Sequence, residues 1–241
     1  MLKTYKKDSK FSYSFGVFPT IELLNTRSGN VIKVLVNPKG YKNSGLETIL
    51  NTCKKLNIPI EEDQILIERL AGNENTYAIG MFEKYDSSLD EKGNHIVLVN
   101  PSDMGNLGTI CRTMLAFNFK NLVLVKPAVD IFDPKVIRSS MGAVFHLNFE
   151  YFESFDKYNE NGERFKRNNY PLMINATNTL DKIVLKKPYS LIFGNEGKGL
   201  DEKYYGVGES VSIPQSSDVD SLNLSVAVGI VLYKAFQKFS N

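Results

Sequence analysis

The chain of 241 residues is 42% hydrophobic and 23% charged, with a formal net charge of +2, the composition of an ordinary globular protein able to bury one large core or two small ones. Its two cysteines, Cys53 and Cys111, lie far apart in sequence, which excludes a disulfide scaffold and suits buried small hydrophobes. No window approaches a membrane span, and the basic opening MLKTYKKDSK lacks the apolar stretch and cleavage site of a secretory signal, so a cytoplasmic address is expected.

Charge is unevenly spread. Residues 1 to 45 hold eight Lys or Arg against Asp8 and Glu22, whereas residues 46 to 92 hold five basic residues against ten acidic ones. A basic N-terminal face suits a polyanion such as RNA; charge alone describes a solvated lysine-rich surface equally well.

In chain order, VIKVLVNP (31–38) reads as a strand, SGLETILNTCKKL (44–56) as a helix capped by Ser44, EDQILIERLAG (62–72) as a helix stopped by Gly72, and TYAIGMF (76–82) as a strand. KYDSSLDEKGN (84–94) has the polar, glycine-ended composition of a linker, which puts a domain boundary near residue 90. Beyond it, HIVLVN (95–100), NLVLVKP (121–127), PLMINAT (171–177), SLIFG (190–194) and VSIP (211–214) are apolar runs of strand length separated by helical patterns. They predict an α/β fold with a largely parallel sheet covered on both faces. The stretch 151–169, bulky and charged by turns, fits a helix or an irregular excursion.

Ligands of open parallel sheets bind past the carboxyl ends of the strands, and three such ends are chemically rich. The first, NPSDMGNLGTICRTMLAFNF (100–119), predicts a helix capped by Asp103 or Asn106 with an apolar stripe of Leu107, Ile110, Cys111, Met114 and Phe117. Arg112 falls roughly 140° around from Leu107, where a surface ion pair is the plain reading. The second, LIFGNEGKGLD (191–201), carries three glycines that permit close backbone approach or simply make a tight turn. It is not a phosphate loop, because Ile192 stands five residues before Gly197 and Gly199 follows Lys198. The third, VSIPQSSDVDSLNLSVAVGIVLY (211–233), crowds Asp218, Asp220, Ser221, Asn223 and Ser225 at the start of an apolar helix running to 239. That exceeds what one helix cap requires, so part of the surplus should face a ligand, a partner or a crossing loop.

In order and spacing, NLGTICRT (106–113), RSSMGAVFHL (138–147) and LIFGNEGKGL with IPQSSDVDSLNLSVA resemble the three motifs of the SpoU/TrmH family of RNA ribose 2′-O-methyltransferases, within the SPOUT class. The resemblance covers residues 94–241. FGVFPTIELL (15–24) and LIERLAGNENTYAIG (66–80) more loosely resemble the small α/β substrate-binding domain that precedes the catalytic domain in part of the family. The resemblance implies an RNA-binding domain and linker over 1–90 and a SPOUT α/β domain with a deep trefoil knot over 91–241. It implies a methyl donor, S-adenosylmethionine, held at positions matching Ala176, Thr177, Gly194, Ile213 and Leu222, and a reaction centre of Arg112, Asn106, Glu196, Ser221 and Asn223. It also implies a homodimer, with ribosomal RNA favoured over transfer RNA as substrate. Gln215, Ser217 and Asp220 stand where the family commonly has Met, Gly and Glu, which bears on substrate choice more than on activity.

The chemistry is compatible with the rest of the chain. The donor brings its own activated methyl, and His95, His146, Cys53 and Cys111 show no paired spacing of a zinc site. A guanidinium with a pKa above about 12 is a poor base, so Arg112 is expected to engage an RNA phosphate and the target hydroxyl rather than to take the proton itself. The competing class is a catalytically silent knotted RNA-binding or ribosome-assembly factor.

Overall fold

A computed structural model describes residues 5–72, 76–160 and 165–237. The first four residues, residues 73–75 of LIERLAGNENTYAIG, residues 161–164 of the 151–169 stretch, and the last two residues of the helix predicted to reach 239 lie outside them. The chain folds as two units, one made of the residues up to Asp86 with Asp130–His146, the other of Ser87–Val129 with the residues from Leu147 onward.

The first unit begins β1 (Phe11–Phe15), α1 (Val17–Arg27), β2 (Val31–Val36), α2 (Ser44–Leu56), β3 (Ile60–Glu62), α3 (Gln64–Ala71) and β4 (Ala78–Glu83). Its sheet has the order β1-β4-β2-β3, with β4 antiparallel to both neighbours and β3 parallel to β2. Side chains alternate across β2: Val34 and Val36 pack with Leu24, Leu46, Ile49 and Cys53, while Leu35 packs with Tyr13, Ile67 and Ile79. Both faces are thus covered.

Local chemistry sets the ends of the helices. Asn43, rather than Ser44, caps α2, its Oδ1 accepting from Gly45 N at 2.9 Å and Leu46 N at 3.3 Å; Ser44 is the first helical residue. Gly72 ends α3 in the left-handed region at φ 66°.

The second unit opens with β5 (His95–Val99), α4 (Met104–Ala116) and β6 (Asn121–Val125). The chain next supplies α5 (Pro134–Ser139) to the first unit, although a linear boundary near residue 90 gives this segment to the second. Its anchors are tertiary. Phe132 and Phe145 meet Phe82 edge-on at 5.8 and 5.3 Å, Ser12 Oγ donates to Phe132 O at 2.5 Å, and Lys84 Nζ reaches Asp130 at 2.8 Å.

The second unit resumes with β7 (Asn148–Phe152), α6 (Phe155–Asn159), β8 (Asn168–Pro171), β9 (Asn178–Thr179), β10 (Tyr189–Phe193), β11 (Val211–Ser212) and α7 (Leu224–Gln237). Five strands form a wholly parallel sheet in the order β7-β6-β5-β10-β8. β5, β6 and β10 are buried along their whole length, as near-continuous apolar strands require. Against Val97, Val99, Val123, Val125 and Ile192 pack Phe155, Tyr158, Phe165 and Tyr204.

Two expectations are corrected: the strand predicted over 171–177 ends at Pro171, and β11 pairs with β9, with a single bridge from Val211 to Leu172, instead of joining the main sheet. The 151–169 stretch supplies the end of β7, the short helix α6 and the first residues of β8.

Both cysteines are buried, and burial pushes the Cys53 thiol up to about 11 and the Cys111 thiol up to about 12, so neither is a nucleophile near neutral pH. His95 is fully buried, with Nδ1 2.9 Å from Tyr158 Oη and Nε2 2.9 Å from Asp90 O. Burial lowers its pKa to about 4, against the opposing pull of the Asp90 backbone.

In the unfolded chain the imidazole titrates near ~6.5, so between these values the unfolded state binds the extra proton. Stability is therefore unaffected by this group above about pH 6.5 and falls as pH drops toward 4, by on the order of 3 kcal/mol in all. Thermal melts from pH 7 to pH 4.5 should show a shallower fall in Tm for His95→Gln than for the parent; equal slopes would rule out this group as the cause.

Candidate functional site

Within the second unit, the carboxyl ends of β8 and β10 and the N-terminus of α7 border a cavity of about 280 Å³. Small-molecule sites occupy about 300–1,000 Å³, so its size falls just below that range. Gly194 shows how tightly its loop is built. A Cβ there would lie 2.1 Å from Gly199 C, 2.3 Å from its O and 2.4 Å from Leu200 N, all of them backbone atoms. The loop closes on itself through Asn195 and Gly199, which exchange N–H···O bonds of 3.2 and 2.9 Å, with Gly199 in the left-handed region at φ 68°.

Asn195 ties this loop to the end of β5. Its Nδ2 donates to Asn100 O at 2.7 Å, and its Oδ1 accepts from Gly197 N at 2.9 Å and Lys198 N at 3.3 Å. Glu196 extends the tie to the start of α4, accepting from Ser102 N at 3.1 Å, Ser102 Oγ at 2.8 Å and Asp103 N at 3.1 Å. Burial pulls the Glu196 carboxyl upward, but hydrogen bonds from its own backbone, Asp103 and Ser102 together outweigh it and hold the group below its ordinary value. The carboxylate is ionised and committed to the loop.

Asp103 caps α4, its Oδ1 accepting from Asn106 N at 2.7 Å. Asn223 caps α7, accepting from Ser225 N at 2.8 Å and Ser225 Oγ at 2.7 Å, while its Nδ2 donates to Asn106 Oδ1 at 3.1 Å. This accounts for part of the polar surplus at the start of α7. One side chain caps the helix and also ties its N-terminus to α4. Ser216 Oγ donates to Asp218 at 2.7 Å, so a second part of the surplus shapes the loop itself. Asp220 and Ser221 are among the residues that line the cavity.

Of the predicted residues, Gly194, Glu196, Ile213, Ser221 and Leu222 line the cavity, and Asn106 and Asn223 are bonded to each other. Arg112 is exposed on α4 and is not part of the lining. Leu107, Ile110, Cys111 and Met114 are fully buried, which leaves Arg112 on the outward face of the helix.

Ala176 and Thr177 are also outside the lining. Ala176 packs against the core, and its carbonyl accepts from Ser212 Oγ at 3.1 Å. Leu172, Met173 and Ile174 take their place, because β8 ends at Pro171 and the chain leaves the sheet there: Leu172 N donates to Ile192 O at 2.8 Å and Met173 N to Val211 O at 2.9 Å. These three residues and Lys198, Leu224 and Ala227 are lining positions that the sequence reading missed. A strand end placed at residue 171 would have brought Leu172–Ile174 under the strand-end rule.

The SpoU rRNA Methylase family model matches residues 93–233. An uncharacterized tRNA/rRNA methyltransferase of Synechocystis sp. is 37% identical over 145 residues, 58% of this chain and 52% of its own. A 23S rRNA (uridine(2479)-2′-O)-methyltransferase of Streptomyces viridochromogenes is 28% identical over 149 residues, 59% of this chain and 52% of its own. The chain thus spans about half the length of these curated relatives. Among solved structures, the SpoU methyltransferase AviRb of Streptomyces viridochromogenes in complex with AdoMet superposes with a TM-score of 0.83 at 21% identity, over 96% of this chain and 92% of its own, which shows the shared α/β fold.

Proposed function

The chain belongs to the SpoU rRNA methylase family, and from that premise we propose that it is an S-adenosylmethionine-dependent methyltransferase acting on a ribose 2′-hydroxyl of structured RNA in the cytoplasm, ribosomal RNA before transfer RNA. The observation that carries this reading is the cavity at the strand ends, walled by a loop so close to itself at Gly194 that no side chain fits there. The name of the Streptomyces relative supports the substrate class.

The residues present fit the cofactor. Leu172, Ile213, Leu222 and Leu224 give apolar walls for an adenine ring, and the glycine-rich turn offers backbone groups without side-chain obstruction. When bound, S-adenosylmethionine supplies a methyl on a sulfonium, already activated toward a nucleophilic oxygen.

The chain's own work is to position that oxygen and ease the loss of its proton. Arg112 stands on the exposed face of α4 as a permanent cation, able to engage an RNA phosphate and the target hydroxyl and so lower the cost of deprotonation. Asn106 and Asn223 tie α4 to α7 and shape the nucleotide pocket, with Ser221 on its wall. Glu196 fixes the loop, a role that its three bonds to Ser102 and Asp103 support.

In this reading residues 1–90 bind the RNA, and the loops of the catalytic domain cross as a deep trefoil knot. The loop ties from Asn195 to Asn100 and from Ser212 to Ala176 support such crossing. The protein pairs as a homodimer through α7, whose Val226 (49% exposed), Ile230 (39%) and Tyr233 (52%) form an outward apolar stripe at helical spacing.

Incubation with tritiated S-adenosylmethionine and either ribosomal or transfer RNA tests the reading. Label is expected in ribosomal RNA, whereas a catalytically silent binding or assembly factor leaves both RNAs unlabelled.

A further inference from the structure

Three charged residues line the cavity: Glu196, Lys198 and Asp220. The Glu196 carboxylate is taken up by Ser102 and Asp103. Lys198 is different. It is exposed, and none of the ion pairs among the described residues uses its ammonium.

Its backbone, by contrast, is held. Lys198 N donates to Asn195 Oδ1 at 3.3 Å, Gly197 N donates to the same oxygen at 2.9 Å, and the flanking Gly199 exchanges backbone bonds with Asn195. A cation presented from a fixed backbone loses less freedom on meeting its partner than one on a loose loop. No ion pair among the described residues engages this ammonium, and Lys198 is one of the residues that line the cavity.

We infer that Lys198 is the cavity's anion-binding group, taking an oxygen of a carboxylate or a phosphodiester of the bound ligand. The assignment rests on the methyl-transfer reading, which offers two sources: the amino-acid carboxylate of the cofactor and a phosphate of the RNA. A lysine suits either, as a compact point charge with rotatable donors. It is a binding residue, acting on ligand affinity and orientation.

The test compares the parent protein with Lys198→Ala and Lys198→Arg. Affinity is measured calorimetrically for S-adenosylhomocysteine and for 5′-methylthioadenosine, which keeps the nucleoside and thioether but lacks the amino-acid end, and by filter binding for a ribosomal RNA fragment. Lys198→Ala is expected to weaken either S-adenosylhomocysteine or RNA by about tenfold, the size of one charge-assisted hydrogen bond, with methylthioadenosine held within about twofold and Lys198→Arg recovering most of the loss. Loss confined to S-adenosylhomocysteine identifies the carboxylate, and loss confined to RNA identifies the phosphodiester.

The assignment is overturned if both affinities stay within about twofold of the parent, or if methylthioadenosine loses as much as the others, the sign of a collapsed loop. A parent protein that binds no S-adenosylhomocysteine would remove the methyl-transfer reading together with this one. Unchanged affinities in Lys198→Ala, beside normal binding by the parent, would remove only the role of Lys198.

Discussion

Gly194→Ala is expected to destroy the proposed cofactor site, weakening S-adenosylhomocysteine by roughly a hundredfold or more, the equivalent of about 3 kcal/mol. The added methyl would sit 2.1–2.4 Å from three backbone atoms of Gly199 and Leu200. No rotamer change relieves a clash with backbone, so the turn must open. Opening it costs the two Asn195–Gly199 bonds and puts strain on the Asn195 bridge to Asn100. Calorimetry on the variant, with circular dichroism to show that the sheet persists, checks this. Parental affinity in a folded Gly194→Ala protein would mean that the loop can adapt and that its tightness is not what builds the site.

The second large effect is expected at Arg112. Arg112→Lys keeps the charge but loses the planar, multi-donor group that can reach a phosphate and a hydroxyl together. Methyl transfer should fall by about a hundredfold or more, the scale of losing one preorganised donor in a reaction centre, while cofactor affinity stays within about twofold. The separation follows from geometry: Arg112 lies on the exposed face of α4, outside the cavity lining, and its removal leaves the cavity walls intact. Single-turnover transfer rates set beside calorimetry make the comparison. Equal losses in rate and in cofactor affinity would instead make Arg112 part of the cofactor's support.

What could be read in the sequence, and what could not, divides along physical lines. β5, β6 and β10 are buried throughout, and a strand covered on both faces must be written in nearly continuous apolar residues, so HIVLV, NLVLV and YSLIF are plain to see. β3 is fully exposed over its three residues and carries no pattern; its place comes from pairing with β2. β1 hides Ser12 and Ser14 in the core, where Ser14 Oγ lies 3.0 Å from Thr20 Oγ1, so its polar residues disguise a buried strand.

The site followed the same logic. Gly194, Glu196 and Asn223 sit next to strand ends or helix starts that local chemistry marks. Ile174 (62% exposed) lies past a strand end misplaced by six residues, because the apolar run PLMINAT does not distinguish residues inside the sheet from residues leaving it to wall a cavity. The attachment of 130–146 to the first unit depends on Phe82 and Ser12, residues distant in sequence, and no local pattern signals it.

The most direct measurement is a nucleoside digest of ribosomal RNA after incubation with the protein and S-adenosylmethionine, analysed by mass spectrometry. One ribose-methylated nucleoside is expected, its mass gain on the sugar fragment, and absent with Arg112→Lys. A gain on the base fragment, or no gain while the cofactor binds, would contradict a site that aims a methyl at a ribose oxygen.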